Sequence, residues 1–273
     1  MFSIIIPLYN KEVSIRNTIQ SVLDQSFQDF EIIVVNDGST DRSADVVAKI
    51  DEPKIRLIHQ KNQGVSTARN KGIEESQRDW IVFLDGDDLW EKNHLEVLKD
   101  MIEQYPQDKV FCTSFIKSNQ HMPAQNDNSI VVIENYFKEV INHNFFWTSV
   151  TCLHKSVFTK VGVFVRHLSR GEDMELWTRV GREYRFIKSN QITAIYCIDA
   201  ENRSDLSFNL CKSRAYYYDF KSSTSSYETI YYRSEVARVL RFLLAKKQFL
   251  SCFKLFNKHY KHLKIRDLIK KGK

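Results

Sequence analysis

The sequence has no Cys-x-x-Cys pair; its five cysteines, Cys112, Cys152, Cys197, Cys211 and Cys252, stand singly. That spacing argues against a zinc site or a disulfide framework and predicts reduced, half-buried packing thiols. No run of about 18 or more apolar residues occurs, so no transmembrane helix is predicted. The start, MFSIIIPLYNKE, lacks the basic stretch and small-residue cleavage site of a secretion signal, and a cytoplasmic chain is expected. No internal repeat and no linker rich in Gly, Pro or Ser divides it. Two phosphate-binding fingerprints are missing as well. G-x-G-x-x-G does not follow the first strand and G-x-x-x-x-G-K-[ST] occurs nowhere, which excludes a dinucleotide Rossmann site and a P-loop.

What is present suits a real core: 273 residues, of which 42% are hydrophobic. The net charge of +6 is unevenly placed. Residues 246–273 hold nine lysines and one arginine against one acid, a local balance of +9, so the first 245 residues carry −3.

The first half alternates two periods. FSIIIPLY, FEIIVVND, KIRLIH and WIVFL read as buried strands, and KVFCTSFI as a further one. Between them lie helical patterns, one with Ile15, Ile19, Val22 and Leu23 on one face and another with Leu95, Leu98, Met101 and Ile102. Ser39 or Thr40 is the expected N-cap of the second helix and Ser66 of the third. Solid apolar strands separated by helices indicate an α/β domain with a mostly parallel, Rossmann-like sheet covered on both sides. The polar stretch 117–128 reads as a surface connection. Beyond it, 145–165 and 170–184 read as an irregular subdomain ending in a helix, and the chain after Asp205 as helical, aromatic and basic. The expected division is a catalytic unit over 1–207, with a nucleotide-binding half (1–116) and an acceptor half (117–207), then a helical tail over 208–273.

In an open parallel sheet, ligands bind outside the carboxyl ends of the strands. Asp37 ends one strand, Asp85 follows another, and Tyr9 and Asn10 follow the first, so all reach the same edge. The turn Asp85-Gly86-Asp87-Asp88 sets three carboxylates at the mouth of a buried strand, a costly arrangement unless a cation or several donors sit among them. A Mg²⁺ or Mn²⁺ ion on one or two carboxylates, completed by diphosphate oxygens and water, meets that need. Each residue also has a plainer reading. Pro7 and Tyr9 suit strand-end packing, Arg69 a helix-surface ion pair with Glu74 or Asp37, Asn62 and Gly64 a turn, and Asp37 the helix N-terminus after it. Glu172 and Asp173 open a helix, where acids are favourable in any case.

SIIIPLYN with Glu12, VVNDGSTD, NQGVSTARNKG, FLDGDD and GEDMELWTRV occur in the order found in family 2 glycosyltransferases of the GT-A fold, a resemblance covering Phe2 to about Ser207. It implies that Pro7 and Tyr9 line a base pocket, that Asp37 accepts from the nucleobase, and that Asn62 and Arg69 flank the nucleotide and its phosphates. It implies further that Asp85 lies nearer the ribose, that Gly86 belongs to the nucleotide-sugar site, and that Asp87, with Asp85, holds Mn²⁺ or Mg²⁺. Asp88 braces the turn. Asp173 resembles the family's general base, with Glu172 orienting the acceptor. The implied reaction transfers a sugar from a nucleotide diphosphate donor, most often a UDP-sugar, to a hydroxyl of a glycan or lipid-linked acceptor in cell-surface polysaccharide synthesis, inverting the anomeric centre.

The resemblance fails at one place: where the family carries a His before a Ser-x-Ser, this chain reads IYCIDAENRSDLS, leaving Asp199, Asn202 or Arg203 as substitutes. No Q-x-x-R-W motif supports processive synthesis. Trp147 is a candidate acceptor platform and Trp177 a weaker one, core packing being the alternative for both. The basic tail over 241–273 suits either an anionic membrane surface on the inner face or a helical hairpin packed on the domain with solvated lysines; no motif points to nucleic acid. Two rivals stand against the transferase, a non-catalytic nucleotide- or glycan-binding module and a sugar-phosphate nucleotidyltransferase, the latter lacking its Gly-rich basic loop after strand one.

Overall fold

The first four apolar runs form one side of a mixed sheet, with KVFCTSFI one strand beyond them, in a computed structural model of the chain, which describes residues 1–125, 127–141, 145–168, 170–201, 208–265 and 267. The elements are β1 (Phe2–Leu8), α1 (Ile15–Leu23), β2 (Phe30–Asp37), α2 (Ser43–Ala48), β3 (Ile55–Gln60), α3 (Val65–Glu75), β4 (Trp80–Phe83), β5 (Leu89–Trp90) and α4 (His94–Gln104). They continue with β6 (Val110–Lys117), β7 (Ile130–Ile133), α5 (Tyr136–Val140), β8 (Thr151–His154), α6 (Lys155–Val161), α7 (Glu172–Glu183), β9 (Phe186–Tyr196), α8 (Arg214–Tyr217), α9 (Ser226–Ala245) and α10 (Phe249–His259). The strands lie in the order β3-β2-β1-β4-β8-β6-β9-β5, with β7 also on β9. β3, β2, β1 and β4 are parallel, and all eight residues of β2 are buried, as a strand covered on both faces requires. Phe2 pairs with Phe30 and Leu8 with Asn36, so β1 and β2 end side by side and deliver their following residues to one edge.

The second half corrects the expectation of an irregular subdomain. β8 runs antiparallel between β4 and β6, and β9 is an eleven-residue strand parallel to β6 and antiparallel to β5 and β7. Two expected caps also differ. α2 starts at Ser43, whose N–H is taken by the Asp41 carboxylate, not at Ser39 or Thr40. α3 begins after Gly64, and Ser66 lies inside it with a buried hydroxyl that has no hydrogen-bond partner among the described residues. The helix N-terminus is instead anchored by Asp37, as described below.

α3 packs on β1 and β2, and the contact is close enough to demand glycine at position 72. A Cβ there would sit 2.3 Å from Ile5 Cγ2. Gly72→Ala gains at most about 1 kcal/mol in helix propensity, whereas overpacking costs about 1–3 kcal/mol. A net loss of roughly 1 kcal/mol and a lower melting temperature are expected in thermal denaturation.

After Leu210 the chain is helical, as the sequence indicates. Ser225 Oγ accepts from the Glu228 N–H at the start of α9, and the Glu228 carboxylate returns to Thr224 N–H at 2.7 Å, a reciprocal cap. Tyr231, Tyr232, Val236, Leu240 and Leu243 bury one face of α9 on the body, where Arg182 of α7 pairs with Glu228. α10 folds back on α9 as a hairpin and buries only Leu255 and His259. Among the described residues no helix is long and apolar enough to cross a membrane. All five cysteines are free; Cys112 and Cys152 are buried, and Cys211 is exposed rather than half-buried.

Candidate active site

The carboxyl ends of β1, β2 and β4 meet at one edge. Asn10, at φ 51°, accepts from Thr40 N–H at 2.8 Å through its side chain and donates its own N–H to Ser39 Oγ at 3.1 Å, lacing the loop after β1 to the loop after β2. Asp37 is buried at the end of β2. Its carboxylate accepts from Gln60 Nε2 at 2.7 Å and from the N–H groups of Gln63 and Gly64, both at 2.8 Å. It thereby fastens the 60–64 turn that carries exposed Asn62 and starts α3. Tyr9 lies exposed just past β1, and Pro7 occupies the strand opposite Val35.

The Asp85–Asp88 turn is drawn down onto β1 by a residue without a side chain. A Cβ on Gly86 would lie 3.2 Å from the Pro7 carbonyl oxygen, and the Gly86 carbonyl accepts from Ser14 Oγ at 3.0 Å. Asp88 is fully buried and braces the turn, accepting from Ser149 Oγ at 2.7 Å and from Cys197 N–H at 3.1 Å. Ser149 Oγ in turn accepts the Asp85 N–H. With Asp88 committed inward, Asp85 and Asp87 are the carboxylates offered to the edge.

Arg69 joins this turn to the second acidic cluster. Its guanidinium, 4% exposed, donates to Asp85 Oδ1 at 2.7 Å and to Glu172 Oε1 at 2.8 Å, and lies over the Phe164 ring at 5.3 Å. The plainer alternative, a helix-surface ion pair with Glu74 or Asp37, does not hold: α3 is buried on both flanks, and Arg69 is turned to Asp85 and Glu172. Asn70 beside it grips the Phe164 backbone from both sides, donating to its carbonyl at 2.8 Å and accepting its N–H at 2.9 Å. Glu172 opens α7 after Gly171, and Asp173 follows, half-buried, with Oδ1 accepting from Met174 N–H at 2.7 Å. Acids at a helix N-terminus are stabilised by its dipole, and here that end also points at a guanidinium.

These charges perturb one another. Burial, then the Asp85 charge, pushes the Asp87 carboxyl above its usual range despite Lys11. Burial, then Asp173, raises Glu172 against the opposing pull of Arg69. Burial works against the Arg69 charge, yet Asp85 and Glu172 more than offset it and its pKa rises. The mutual repulsion of Asp85 and Asp87 is what a divalent cation would relieve. Among the described residues no three His, Cys, Asp or Glu side chains gather as a complete ligand set. Two hard oxygen donors at a surface edge fit Mg²⁺ or Mn²⁺ only if diphosphate and water supply the remaining ligands.

Two site residues had escaped the sequence reading. Lys11 Nζ donates to Asp87 Oδ2 at 2.6 Å and to the Glu201 carbonyl, and the Glu201 carboxylate accepts from Ser14 N–H at 2.9 Å and Val13 N–H at 3.1 Å. The segment after β9 is thus strapped to the start of α1 beside the Asp85–Asp88 turn. The signal for Lys11 is its place directly after PLYN, at the strand edge that also presents the carboxylates. Glu201 falls between the expected substitutes for the absent His and was not one of them: Asp199 is exposed, and Asn202 and Arg203 fall outside the described residues. Trp177 is fully buried, 4.8 Å from Phe146 ring to ring, and belongs to the core. Trp147 is half-buried, packed between Phe115 at 4.8 Å and Tyr196 at 4.6 Å.

Comparison with known proteins identifies the family and the fold. The sequence model described as Glycosyl transferase family 2 matches residues 3–167. Among curated proteins, the chain is similar to the uncharacterized glycosyltransferase EpsJ of Bacillus subtilis, 38% identical over 149 residues, covering 52% of this chain and 43% of that protein. It is also similar to the putative teichuronic acid biosynthesis glycosyltransferase TuaG of B. subtilis, 43% identical over 100 residues, covering 35% of this chain and 39% of that one. The chain spans less than half the length of these relatives. Among solved structures, S. aureus TarS 1–349 in complex with UDP-GlcNAc superposes with a TM-score of 0.77 at 16% identity, covering 97% of this chain and 82% of that one. The mixed sheet flanked by helices is thus the GT-A fold. With the family model spanning more than half of its residues and the acidic edge in place, the chain belongs to glycosyl transferase family 2.

Proposed function

We propose that residues 1–207 form the catalytic unit of an inverting, non-processive glycosyltransferase. It moves a sugar from a UDP-sugar to a hydroxyl of a glycan or lipid-linked acceptor in cell-surface polysaccharide synthesis, at the cytoplasmic side of the membrane. The observation that carries this reading is the Arg69 bridge, which brings the Asp85–Asp87 turn and the Glu172–Asp173 pair, 87 residues apart between Asp85 and Glu172, to one guanidinium. The names of the relatives and the UDP-GlcNAc complex of the TarS neighbour support the donor class and the biosynthetic setting.

In this reading Pro7, Tyr9 and Asp37 enclose the base, Asn62 and Arg69 flank the nucleotide and its phosphates, and Asp85 meets the ribose with Gly86 beside it in the nucleotide-sugar site. Asp173 takes the proton of the acceptor hydroxyl as its oxygen bonds to the anomeric carbon and the bond to the diphosphate breaks. A single in-line displacement inverts that carbon. Glu172, held by Arg69, and Trp147 orient the acceptor. Lys11 supplies a fixed positive charge beside Asp87 where the leaving diphosphate accumulates negative charge. Mn²⁺ or Mg²⁺ on Asp87 and Asp85 would add Lewis-acid neutralisation of that diphosphate. Incubation with a panel of nucleotide sugars and Mn²⁺ is expected to release UDP from one UDP-sugar, the same one that raises the melting temperature. Binding of that sugar with no hydrolysis or transfer would identify a binding module instead.

A further inference from the structure

α10 presents to solvent what a helix of a packed hairpin would be expected to hide. Phe249, Phe253, Phe256 and Tyr260, spaced i, i+4, i+7 and i+11, form one stripe and are 65%, 63%, 41% and 50% exposed. The stripe lies beside the face that buries Leu255 and His259, so the helix is already seated on the body without it. Leu244 and Leu250, also exposed, widen it, and an apolar groove runs between Leu240 and Leu244 of α9 and Phe249, Phe253 and Phe256. A contiguous aromatic patch of this kind marks an interaction surface.

The charge around the stripe says what covers it. Lys246, Lys247, Lys254, Lys258, Lys261 and Lys264 are all exposed, and residues 246–265 contain no acid. None of the six takes part in an ion pair among the described residues, unlike Arg182, Arg214 and Arg233 of the same region, each of which has its carboxylate; Lys258 alone is turned to the body, its Nζ 3.9 Å from the centre of the Tyr216 ring. A second copy of the chain would bring one lysine-rimmed face against another, and like charges oppose that pairing. An anionic bilayer answers both features together. Aromatic rings enter the boundary between headgroups and acyl chains, while lysine stems lie along the apolar surface with their ammonium groups among lipid phosphates.

We propose that α10, with Tyr260 just after it, is a monotopic membrane anchor that lies flat on a bilayer rich in anionic phospholipid, seating Phe249, Phe253, Phe256 and Tyr260 in it with Lys246, Lys247, Lys254, Lys261 and Lys264 as the electrostatic rim. The surface is remote in the chain from the acidic edge and does not depend on the transferase reading. Two signals, one apolar and one electrostatic, are what stable yet reversible anchoring takes.

The test is co-sedimentation of the full chain, without nucleotide sugar, on vesicles of phosphatidylcholine alone or mixed with phosphatidylglycerol. The expected result is binding to the anionic vesicles only, weakened by raising the salt concentration. Phe249→Ser/Phe253→Ser is expected to lower the partition coefficient at least tenfold, with an unchanged melting temperature, since both rings are exposed. Lys246→Glu/Lys254→Glu is expected to do the same on anionic vesicles. Equal binding of wild type and both double variants, or no binding to anionic vesicles, would overturn the proposal. So would a wild-type dimer in sedimentation velocity that Phe249→Ser/Phe253→Ser converts to monomer, because the stripe would then be an interface between copies.

Discussion

Asp173→Asn is expected to lower kcat for sugar transfer by about 10²–10⁴-fold, the range a positioned general base contributes. KM for the donor should change little, because the residue serves the acceptor side. An amide is a fitting substitute here: its oxygen can still accept from Met174 N–H as Asp173 does, so α7 keeps its first turn. Circular dichroism should therefore show wild-type stability, and single-turnover assays a slowed chemical step. Full activity in this variant would remove Asp173 from the role of base.

The second large effect is on stability as well as activity. Arg69→Met leaves Glu172 and Asp85 without their shared counter-ion. Removing one member of a buried ion pair costs roughly 3–5 kcal/mol, and the lower end applies because Asp85 remains 27% exposed and can turn to water. For a chain of this size that is a fall in melting temperature of about 6–12 °C. The deficit should depend on pH in one direction. Burial already raises Glu172, and loss of the guanidinium raises it further. An acid whose folded-state pKa lies above its unfolded value destabilises the fold as pH climbs through that value, and ceases to do so below its unfolded pKa. The gap between wild type and variant is therefore widest at neutral pH and narrows toward pH 4–5, a comparison that thermal melts at about pH 5 and pH 8 would make. A gap of the same size at both pH values would show that the arginine acts by packing alone.

The sequence made some of this legible and concealed the rest for identifiable reasons. Strands β1, β2 and β4 announce themselves as unbroken apolar runs because helices cover both their faces. β8 is four residues long and includes Thr151 and His154, too little to set a period. β9 carries Lys188, Ser189, Asn190 and Gln191 through its middle, where its pairing with β6 shifts register and Lys188 Nζ bonds Ser114 Oγ and Asn190 Oδ1. Such a strand reads as a loop. Asp37, Asp85, Asp87, Glu172 and Asp173 could be picked out because strand ends and helix starts are visible in one dimension. The partner of Arg69 could not, since which flank of α3 faces solvent depends on the segment around Phe164 that packs across it.

The adjacent residues Arg69 and Asn70 have a bearing on how this chain could be re-engineered. Arg69 reaches Asp85 and Glu172 while Asn70 clasps Phe164, so a single helical turn registers three distant stretches of the polypeptide at once. A chimera whose crossover falls between residues 75 and 163 would inherit the two halves of that register from different parents and would need both to keep the same pair. Exchanges confined to surface connections avoid the problem, which makes them the natural route by which related chains could diversify what they join without rebuilding how they join it.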